Sequence, residues 1–119
     1  MIRLLLCLLA LLTLSPFALA RPHNSDIGFA SREKFQQHYR KHGREFGRIS
    51  AERYLRMAQE LRDRPVGGGI LELRRSDGTA RFDRGSGAFL ACARNGTIRT
   101  FFRPVDGERY FQRQRKRHE

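Results

Sequence analysis

Three consecutive glycines, Gly67, Gly68 and Gly69, divide the sequence into two parts with different hydrophobic periodicity. Before them, apolar side chains recur every three or four residues, which is the spacing of one helix face. After them, apolar and polar residues alternate, as they do in half-buried strands. A single segment cannot have both the spacing of a helix face and the alternation of a strand. The sequence therefore predicts an α+β fold with helices and strands in separate segments.

Two helices are predicted before the glycines. The first begins after Ser31, a residue type that caps helix N-termini, and ends near Gly43. Ser50 caps the second, which Pro65 terminates. The stripe of the first helix comprises Phe35, His38, Tyr39, His42 and Phe46, and that of the second comprises Tyr54, Leu55, Ala58 and Leu61. Each helix is therefore expected to pack one face on a common core.

Four antiparallel strands are predicted after the glycines, because Asp77-Gly78 and Asn95-Gly96 have the residues of type I′ hairpin turns. The expected strands are residues 70–75, 79–83, 88–93 and 97–102, with residues 84–87 as the middle connection. Residues 106–117 are expected as either a terminal helix or a basic tail. The predicted fold is thus two N-terminal helices packed on a four-stranded antiparallel sheet, with or without a short C-terminal helix.

Two-residue loops at both turns would fix the register and divide the sheet into two faces. The opposed pairs would be Leu73 with Phe82, Arg74 with Arg81, Phe89 with Phe102, Ala91 with Thr100, and Cys92 with Arg99. A core-like face, expected beneath the two helices, comprises Leu71, Leu73, Ala80, Phe82, Phe89, Ala91, Ile98 and Phe102. The other face comprises Glu72, Arg74, Arg81, Asp83, Arg99 and Phe101. Either an anion bound across the three arginines offsets their repulsion, or Glu72 and Asp83 neutralise them.

The first 20 residues have the features of a secretory signal peptide. Arg3 provides a positive charge, residues 4–14 an apolar stretch, and Ala18-Leu19-Ala20 a small-x-small cleavage site. The apolar stretch is shorter than a membrane span, so we expect no transmembrane anchor. The sequence predicts an exported protein, periplasmic or secreted. Its expected organisation is a signal peptide at 1–20, a flexible leader at 21–28, one α+β domain at 29–112 and a basic tail at 113–119.

The chain is strongly basic, with 24 Lys and Arg residues against 12 Asp and Glu residues. This charge favours polyanionic partners, namely nucleic acid, envelope polyanions or an acidic protein. Cys92 is the one cysteine left after signal cleavage, so an intramolecular disulfide cannot form and folding rests on packing, while pairing of Cys92 between molecules stays open. The expected state is a monomer. His38 and His42 have the i, i+4 spacing of metal ligands, yet a third ligand is not evident. We therefore expect neither a metal nor another cofactor.

Three short segments and one tyrosine resemble a family of bacterial toxins. They are Lys41-His42-Gly43-Arg44-Glu45-Phe46-Gly47, Tyr54-Leu55, Thr100-Phe101-Phe102-Arg103-Pro104 and Tyr110. Together they resemble the colicin D-like branch of the barnase/EndoU/colicin/RelE group of small ribonucleases. The resemblance extends over residues 29–112. It implies helices followed by a four-stranded antiparallel sheet whose open face cleaves RNA without a metal, and an acidic immunity protein as partner.

The resemblance also assigns roles to individual residues. His42 matches the catalytic histidine, while Thr100 and Arg103 match a hydroxyl and a cation that contact phosphate. RNA cleavage by 2′-OH attack needs a base, an acid for the leaving 5′ oxygen and cations for the charged phosphorane. The candidate catalytic residues are His42, Thr100 and Tyr110, and the candidate RNA-binding residues are Lys41, Arg74, Arg81, Arg99, Phe101 and Arg103. A carboxylate base in a matching motif is missing, so Tyr110 or Lys41 would have to complete the acid/base pair.

Two function hypotheses follow. One is an exported, toxin-like, metal-independent ribonuclease that leaves a 2′,3′-cyclic phosphate. The other is a non-catalytic secreted cationic module that binds nucleic acid, envelope polyanions or an acidic protein partner. Thr100 poses a conflict, because the predicted register places it on the core-like face whereas a catalytic role needs it at the site. A β-bulge nearby, or a position at the rim of the sheet, would reconcile the two.

Overall fold

The computed structural model describes residues 25–117, and the predicted signal peptide lies outside them. The helices are α1 (Arg32–His42), α2 (Ala51–Asp63) and α3 (Glu108–Lys116), with a 3-10 turn at Gly43–Phe46. The strands are β1 (Ile70–Arg75), β2 (Gly78–Asp83), β3 (Ala88–Ala93) and β4 (Ile98–Phe102). They form one antiparallel sheet in the order β1-β2-β3-β4. The α+β class is confirmed, with two helices before the sheet and a third after it, which extends into the segment predicted as a tail.

Both predicted N-caps are confirmed. The Ser31 hydroxyl accepts a hydrogen bond from the Lys34 amide at 3.1 Å, and the Ser50 hydroxyl accepts one from the Arg53 amide at 3.1 Å. Each bond satisfies one of the amides that a helix leaves without an internal partner at its start. Within the described residues, no helix is long and apolar enough to cross a membrane.

The first hairpin differs from its predicted register by two residues. Arg75 pairs with Gly78, so Ser76 and Asp77 form the loop. A Cβ at Gly78 would meet the Cys92 carbonyl oxygen at 2.0 Å, so this glycine permits close approach of two strands and is not a turn residue. The observed pairs are Leu73 with Ala80, Arg74 with Thr79 and Glu72 with Arg81, in place of Leu73 with Phe82 and Arg74 with Arg81. A shift of two residues leaves each side chain on its face.

The second hairpin has the predicted register over most of its length. Phe89 opposes Phe102 and Ala91 opposes Thr100, as predicted. Cys92, however, opposes Ile98 instead of Arg99, because the loop is one residue longer than predicted and its end pairs Ala93 with Thr97. Arg99 is left as the extra residue of a β-bulge.

Both faces of the sheet are covered, and the two N-terminal helices lie on the face opposite to the predicted one. The α2 face, on which α1 and α2 pack, comprises Ile70, Ala88, Leu90, Cys92, Ile98 and Phe101. The α3 face, on which Phe111 of α3 packs, comprises Leu71, Leu73, Ala80, Phe82, Phe89, Ala91 and Phe102. The predicted placement of the helices is wrong because β3 is apolar on both faces, so its alternation does not show which face they cover.

The buried Arg81 forms an ion pair with the partly buried Glu72 on the α2 face. Arg81 is 3% exposed, and its Nε and Nη2 donate to Glu72 Oε2 at 2.9 and 2.6 Å. Its Nη1 donates to the carbonyl oxygens of Leu61 and Arg64 at the end of α2. These carbonyls lack donors within the helix. Arg81 therefore joins the end of α2 to the sheet.

The start of the described chain is also held on the domain. Ile98 of the edge strand β4 donates its amide to the Gly28 carbonyl at 2.9 Å. Arg62 of α2 donates through Nη1 to the Ile27 carbonyl. The described part of the predicted leader, residues 25–28, thus includes backbone that is tied to both α2 and β4.

Candidate active site

His42 ends α1 and is paired with a carboxylate that the following turn brings back to it. A hydrogen bond of 2.7 Å joins His42 Nδ1 to Glu45 Oε2. Because an ionised carboxylate only accepts, Nδ1 carries the proton and Nε2 is the acceptor in the neutral ring. The side chains are 15% and 33% exposed, respectively. This arrangement fixes the ring and makes Nε2 the atom suited to take up a proton.

Glu45 is itself fixed by the end of β4. The Arg103 amide donates to Glu45 Oε1 at 2.8 Å, and Arg103 Nη1 donates to the Glu45 carbonyl oxygen at 3.1 Å. One carboxylate therefore connects the end of α1 to the residue that follows β4. The exposed Arg103 guanidinium is thereby held next to the His42–Glu45 pair.

The rings of His42 and Tyr110 both contact the Phe102 ring. The His42 ring centroid lies 5.2 Å from that of Phe102. Tyr110, on α3, meets the same Phe102 ring edge-on at 5.2 Å, and Phe89 at 4.9 Å. Arg113 lies over the Tyr110 ring, with its guanidinium carbon 5.8 Å from the centroid. Two predicted catalytic residues, distant in sequence, thus both lie against one aromatic side chain.

Thr100 lies on the same face of β4 as Phe102, opposite Ala91. The predicted register for Thr100 is therefore confirmed, yet α1 and α2 do not cover it, because they pack on the other face. Thr100 is therefore half-buried on the α3 face, without the predicted cover by α1 and α2. The β-bulge at Arg99 lies next to Thr100 but leaves its pairing unchanged.

Four of the predicted RNA-binding residues are placed elsewhere. Phe101 is 1% exposed and stacks on Phe46 at 4.6 Å, so it is a core residue. Arg81 is buried in its ion pair. Arg74 donates to Glu72 at 3.1 Å, and the bulge residue Arg99 donates to Asp77 at 2.8 Å. An anion bound across the three arginines is therefore not supported, and the alternative of neutralisation by acidic residues holds for Glu72.

The basic residues at the end of α1 differ from these four residues in their exposure and in their partners. Arg40, Lys41, Arg44 and Arg48, the α1-end cluster, are exposed. Within residues 25–117 they form no ion pair with a carboxylate. Lys41 precedes His42 and Arg44 precedes Glu45 in the sequence, while Arg40, Arg44 and Arg48 line one pocket with Tyr39 and Ile49.

Glu45 is the site residue that sequence reasoning missed. Glu45 lies within the segment that resembles the toxins, but at a position for which the resemblance assigns no role. A signal was present, because Glu45 follows His42 by three residues, a separation that places two side chains on one side of a helical turn. Its second contact, with Arg103, joins residues 58 positions apart and leaves no trace in the local sequence.

The chemistry available here is that of side chains acting on protons and anions. Among the described residues, no three His, Cys, Asp or Glu side chains come together as a metal ion would need. His42 and Tyr110 can each accept or donate a proton, and Arg103 can bind an oxyanion. Comparison with family models and with curated proteins finds no match for this chain.

Proposed function

We propose that this protein is an exported, toxin-like ribonuclease that cleaves RNA without a metal ion and leaves a 2′,3′-cyclic phosphate. The observation that carries the proposal is the His42–Glu45 hydrogen bond of 2.7 Å beside Arg103, Phe102 and Tyr110. A histidine oriented by a carboxylate is a common general acid/base unit, and arginine suits the charge that develops on phosphorus. The motif resemblance to colicin D-like toxins supports the same reaction.

In this proposal His42 Nε2 takes the proton of the RNA 2′-OH as its oxygen attacks phosphorus. The bond from phosphorus to the 5′ oxygen breaks, and the Tyr110 hydroxyl protonates that leaving oxygen. Glu45 stabilises the imidazolium that forms, as a carboxylate does when it accepts from the other ring nitrogen. Arg103 and Thr100 hold the phosphate oxygens. Tyr110 is preferred to Lys41 as the acid because it shares the Phe102 contact with His42.

The α1-end cluster would attract the RNA backbone. Exposed cations without carboxylate partners keep their charge for a polyanion, and each contributes a salt-dependent gain in affinity. Lys41 and Arg44 lie closest in sequence to His42 and Glu45. An acidic immunity protein that covers this same cluster is the partner that the proposal implies.

The decisive experiment compares RNA cleavage by the wild type and by His42→Ala in buffer that contains EDTA. We expect the wild type to release fragments with 2′,3′-cyclic phosphate ends and His42→Ala to be slower by about 10²- to 10⁴-fold. His38→Ala, one turn earlier on α1, is the matched control and should retain cleavage. Circular dichroism spectra check that all three proteins are folded.

The result that overturns the proposal is intact RNA after incubation with folded wild type, or equal cleavage by His42→Ala. The alternative function, a cationic module that only binds polyanions, is favoured by one observation, the unpaired α1-end cluster. It predicts RNA binding that falls steeply with salt and is unchanged in His42→Ala. Binding without cleavage would therefore replace the first function with the second.

A further inference from the structure

Strand β1 forms one edge of the sheet, because the strand order is β1-β2-β3-β4. It pairs with β2 on one side, and within residues 25–117 no strand pairs with it on the other. The candidate active site lies at the opposite edge, where β4 ends beside Glu45 and His42. The outer edge of β1 is therefore separate from the residues proposed to act on RNA.

The register with β2 shows in which direction each β1 residue points its backbone groups. In an antiparallel pair, residues that bond to the neighbouring strand alternate with residues whose amide and carbonyl point away from it. The Arg84 amide donates to the Gly69 carbonyl at 2.9 Å, so the odd-numbered residues of β1 are the ones that bond to β2. Ile70, Glu72 and Arg74 therefore direct their amides and carbonyls away from the sheet.

Two of these three residues have backbone groups without a partner. The amide and the carbonyl of Ile70 both bond to Gly67, at 3.1 Å each. Among the described residues, none bonds to the amide or the carbonyl of Glu72 or Arg74. Donors and acceptors that are open along a sheet edge can pair with another strand. Glu72 and Arg74 thus form the free edge of this sheet.

The two side chains of the free edge carry opposite charges on the same face. Glu72 and Arg74 are two residues apart, so both lie on the α2 face. Glu72 accepts from the buried Arg81 through Oε2 and from Arg74 through Oε1. The Arg74 side chain is nevertheless 83% exposed. An acid beside a base makes the free edge complementary in charge to a second copy of itself that runs in the opposite direction.

One antiparallel register between two β1 strands pairs both residues of each free edge. It places Glu72 opposite Arg74 of the second copy, twice by symmetry, with the two Leu73 residues opposite each other at the two-fold axis. A shift by two residues places Glu72 opposite Glu72 and requires Ile70, whose backbone is already bonded. The reverse shift places Arg74 opposite Arg74. Opposite charges across two strands are favourable and like charges are not, so the charges select the first register.

The same register brings half-buried leucines together on the α3 face. Leu71 and Leu73 pack on the core of that face but remain partly exposed. The two Leu73 residues form a pair without backbone hydrogen bonds, in which side chains lie closest. Leu71 lies diagonally across from Leu73 of the second copy, within reach of cross-strand contact. Burial of the remaining apolar surface therefore favours the same association.

We propose that two copies of this protein associate through antiparallel pairing of their free edges, which joins two four-stranded sheets into one. Each Glu72–Arg74 pair exchanges two backbone hydrogen bonds across the interface. The dimer differs from the monomer expected from the sequence. It is independent of the proposed ribonuclease activity, because the β4 edge stays open. Both copies are strongly basic, so their repulsion weakens the association at low salt.

Sedimentation equilibrium of the purified full chain tests this association. The buffer has physiological salt and a reductant that prevents disulfide pairing of Cys92. We expect twice the mass of one chain as concentration rises. Arg74→Glu places like charges opposite each other at both contacts, and should weaken the dimer by about tenfold or more. The matched control, Arg115→Glu, makes the same change of charge at an exposed residue of α3 and should not weaken it.

A proline at position 74 tests the backbone pairing itself. Arg74→Pro removes an amide that β2 does not use, so circular dichroism should show the fold retained. The dimer loses one hydrogen bond at each contact and should weaken by about tenfold or more. Arg74→Gln removes the charge but keeps the amide, and should weaken the dimer less than Arg74→Pro.

Three results would overturn the proposal. The first is the mass of one chain for folded wild type at concentrations up to about 1 mM. The second is equal stability of the dimer in Arg74→Glu and Arg115→Glu, which would place the contact elsewhere on the molecule. The third is a dimer that Arg74→Pro leaves as tight as that of the wild type, because pairing through the free edge requires this amide.

Discussion

The β1–β2 hairpin and the end of α1 are both rich in basic residues, but the fold treats the two regions differently. On the hairpin, Glu72 accepts from Arg74 and Arg81, and Arg81 is buried against α2. At the end of α1, the basic residues are exposed and have no carboxylate partners within the described chain. Arg74 and Arg81 thus reinforce the structure through Glu72, whereas the basic residues at the end of α1 form an available surface. The difference shows that partners, and not counts, decide what an arginine can bind.

Breaking the buried pair should have the largest effect. Glu72→Gln leaves the Arg81 guanidinium buried without a counter-charge, which we expect to lower the free energy of unfolding by about 3–5 kcal/mol. Urea denaturation monitored by circular dichroism measures this loss. The control is Arg74→Gln, which removes the 83%-exposed partner of the same carboxylate and should cost less than about 1 kcal/mol. Equal losses in the two variants would contradict the distinction between buried and exposed arginines.

The ion pair of Glu72 with Arg81 should also make the free energy of unfolding decrease at acid pH. Burial alone would raise the pKa of Glu72, but the hydrogen bonds from Arg74 and Arg81 outweigh it and hold the pKa below its ordinary value. A carboxylate with a lowered pKa stabilises the fold above its unfolded pKa, of about 4.3, and this stabilisation is lost as pH falls further. Urea midpoints below that pH should therefore fall more steeply for the wild type than for Glu72→Gln. Parallel curves would show that the pair does not titrate with unfolding.

At the end of α1, the next largest effect is expected on catalysis and not on stability. Glu45→Gln removes the charge that orients and stabilises protonated His42, and should slow RNA cleavage by about 10²-fold, or roughly 2.7 kcal/mol in activation free energy. RNA affinity should stay within a factor of two, as measured by fluorescence anisotropy with a labelled RNA. A variant that cleaves at the wild-type rate would remove Glu45 from the proposed site.

The α1-end cluster predicts a smaller, salt-dependent effect. The double change Lys41→Ala and Arg44→Ala should weaken RNA binding and reduce the slope of log affinity against log salt by about 1.4, since each phosphate contact on single-stranded RNA contributes about 0.7. Removing two neutralised arginines, Arg74→Ala with Arg99→Ala, is the matched control. The comparison between the regions fails if both double variants change the slope equally.

His38 provides the smallest and most local test. Burial first, and then the positive charges of His42, Lys41 and Lys34, lower the pKa of His38 below its usual 6.5. A neutral histidine with a lowered pKa stabilises the fold above its unfolded pKa, and this contribution declines as pH falls below about 6.5. Urea midpoints of the wild type should therefore decrease between pH 7.5 and 5.5, and less so in His38→Gln. An identical decrease in the variant would place the titration elsewhere.

The helices and strands were predictable from residues that lie close together in the sequence. Ser31 and Ser50 lie at the helix starts where their hydroxyls cap amides, and the strand limits are within one residue of those predicted. The first turn was wrong in detail because Asp77-Gly78 has the composition of a type I′ turn, whereas Gly78 is needed for close approach to Cys92. Turn composition shows that a hairpin exists more reliably than it shows which residues form the loop.

The candidate site was predicted in part for similar reasons. His42 and Tyr110 both lie against Phe102, and Arg103 lies beside Glu45. Phe101 was expected on an accessible surface, but it packs on Phe46 because β4 is apolar on both sides. The role of Glu45 was missed because its contact with Arg103 depends on how α1 meets the end of β4.

The sequence by itself determined the order of helices and strands, the helix caps, the basic charge and the meander that two turn segments impose. These properties depend on residues a few positions apart, whose preferences act locally. Only the tertiary structure decided which sheet face α1 and α2 cover, that Arg81 is buried with Glu72 as its partner, and that His42 pairs with Glu45 and shares the Phe102 contact with Tyr110. Alternation divides a strand into two faces but does not choose between two apolar ones. That choice depends on packing and pairing between residues distant in the chain.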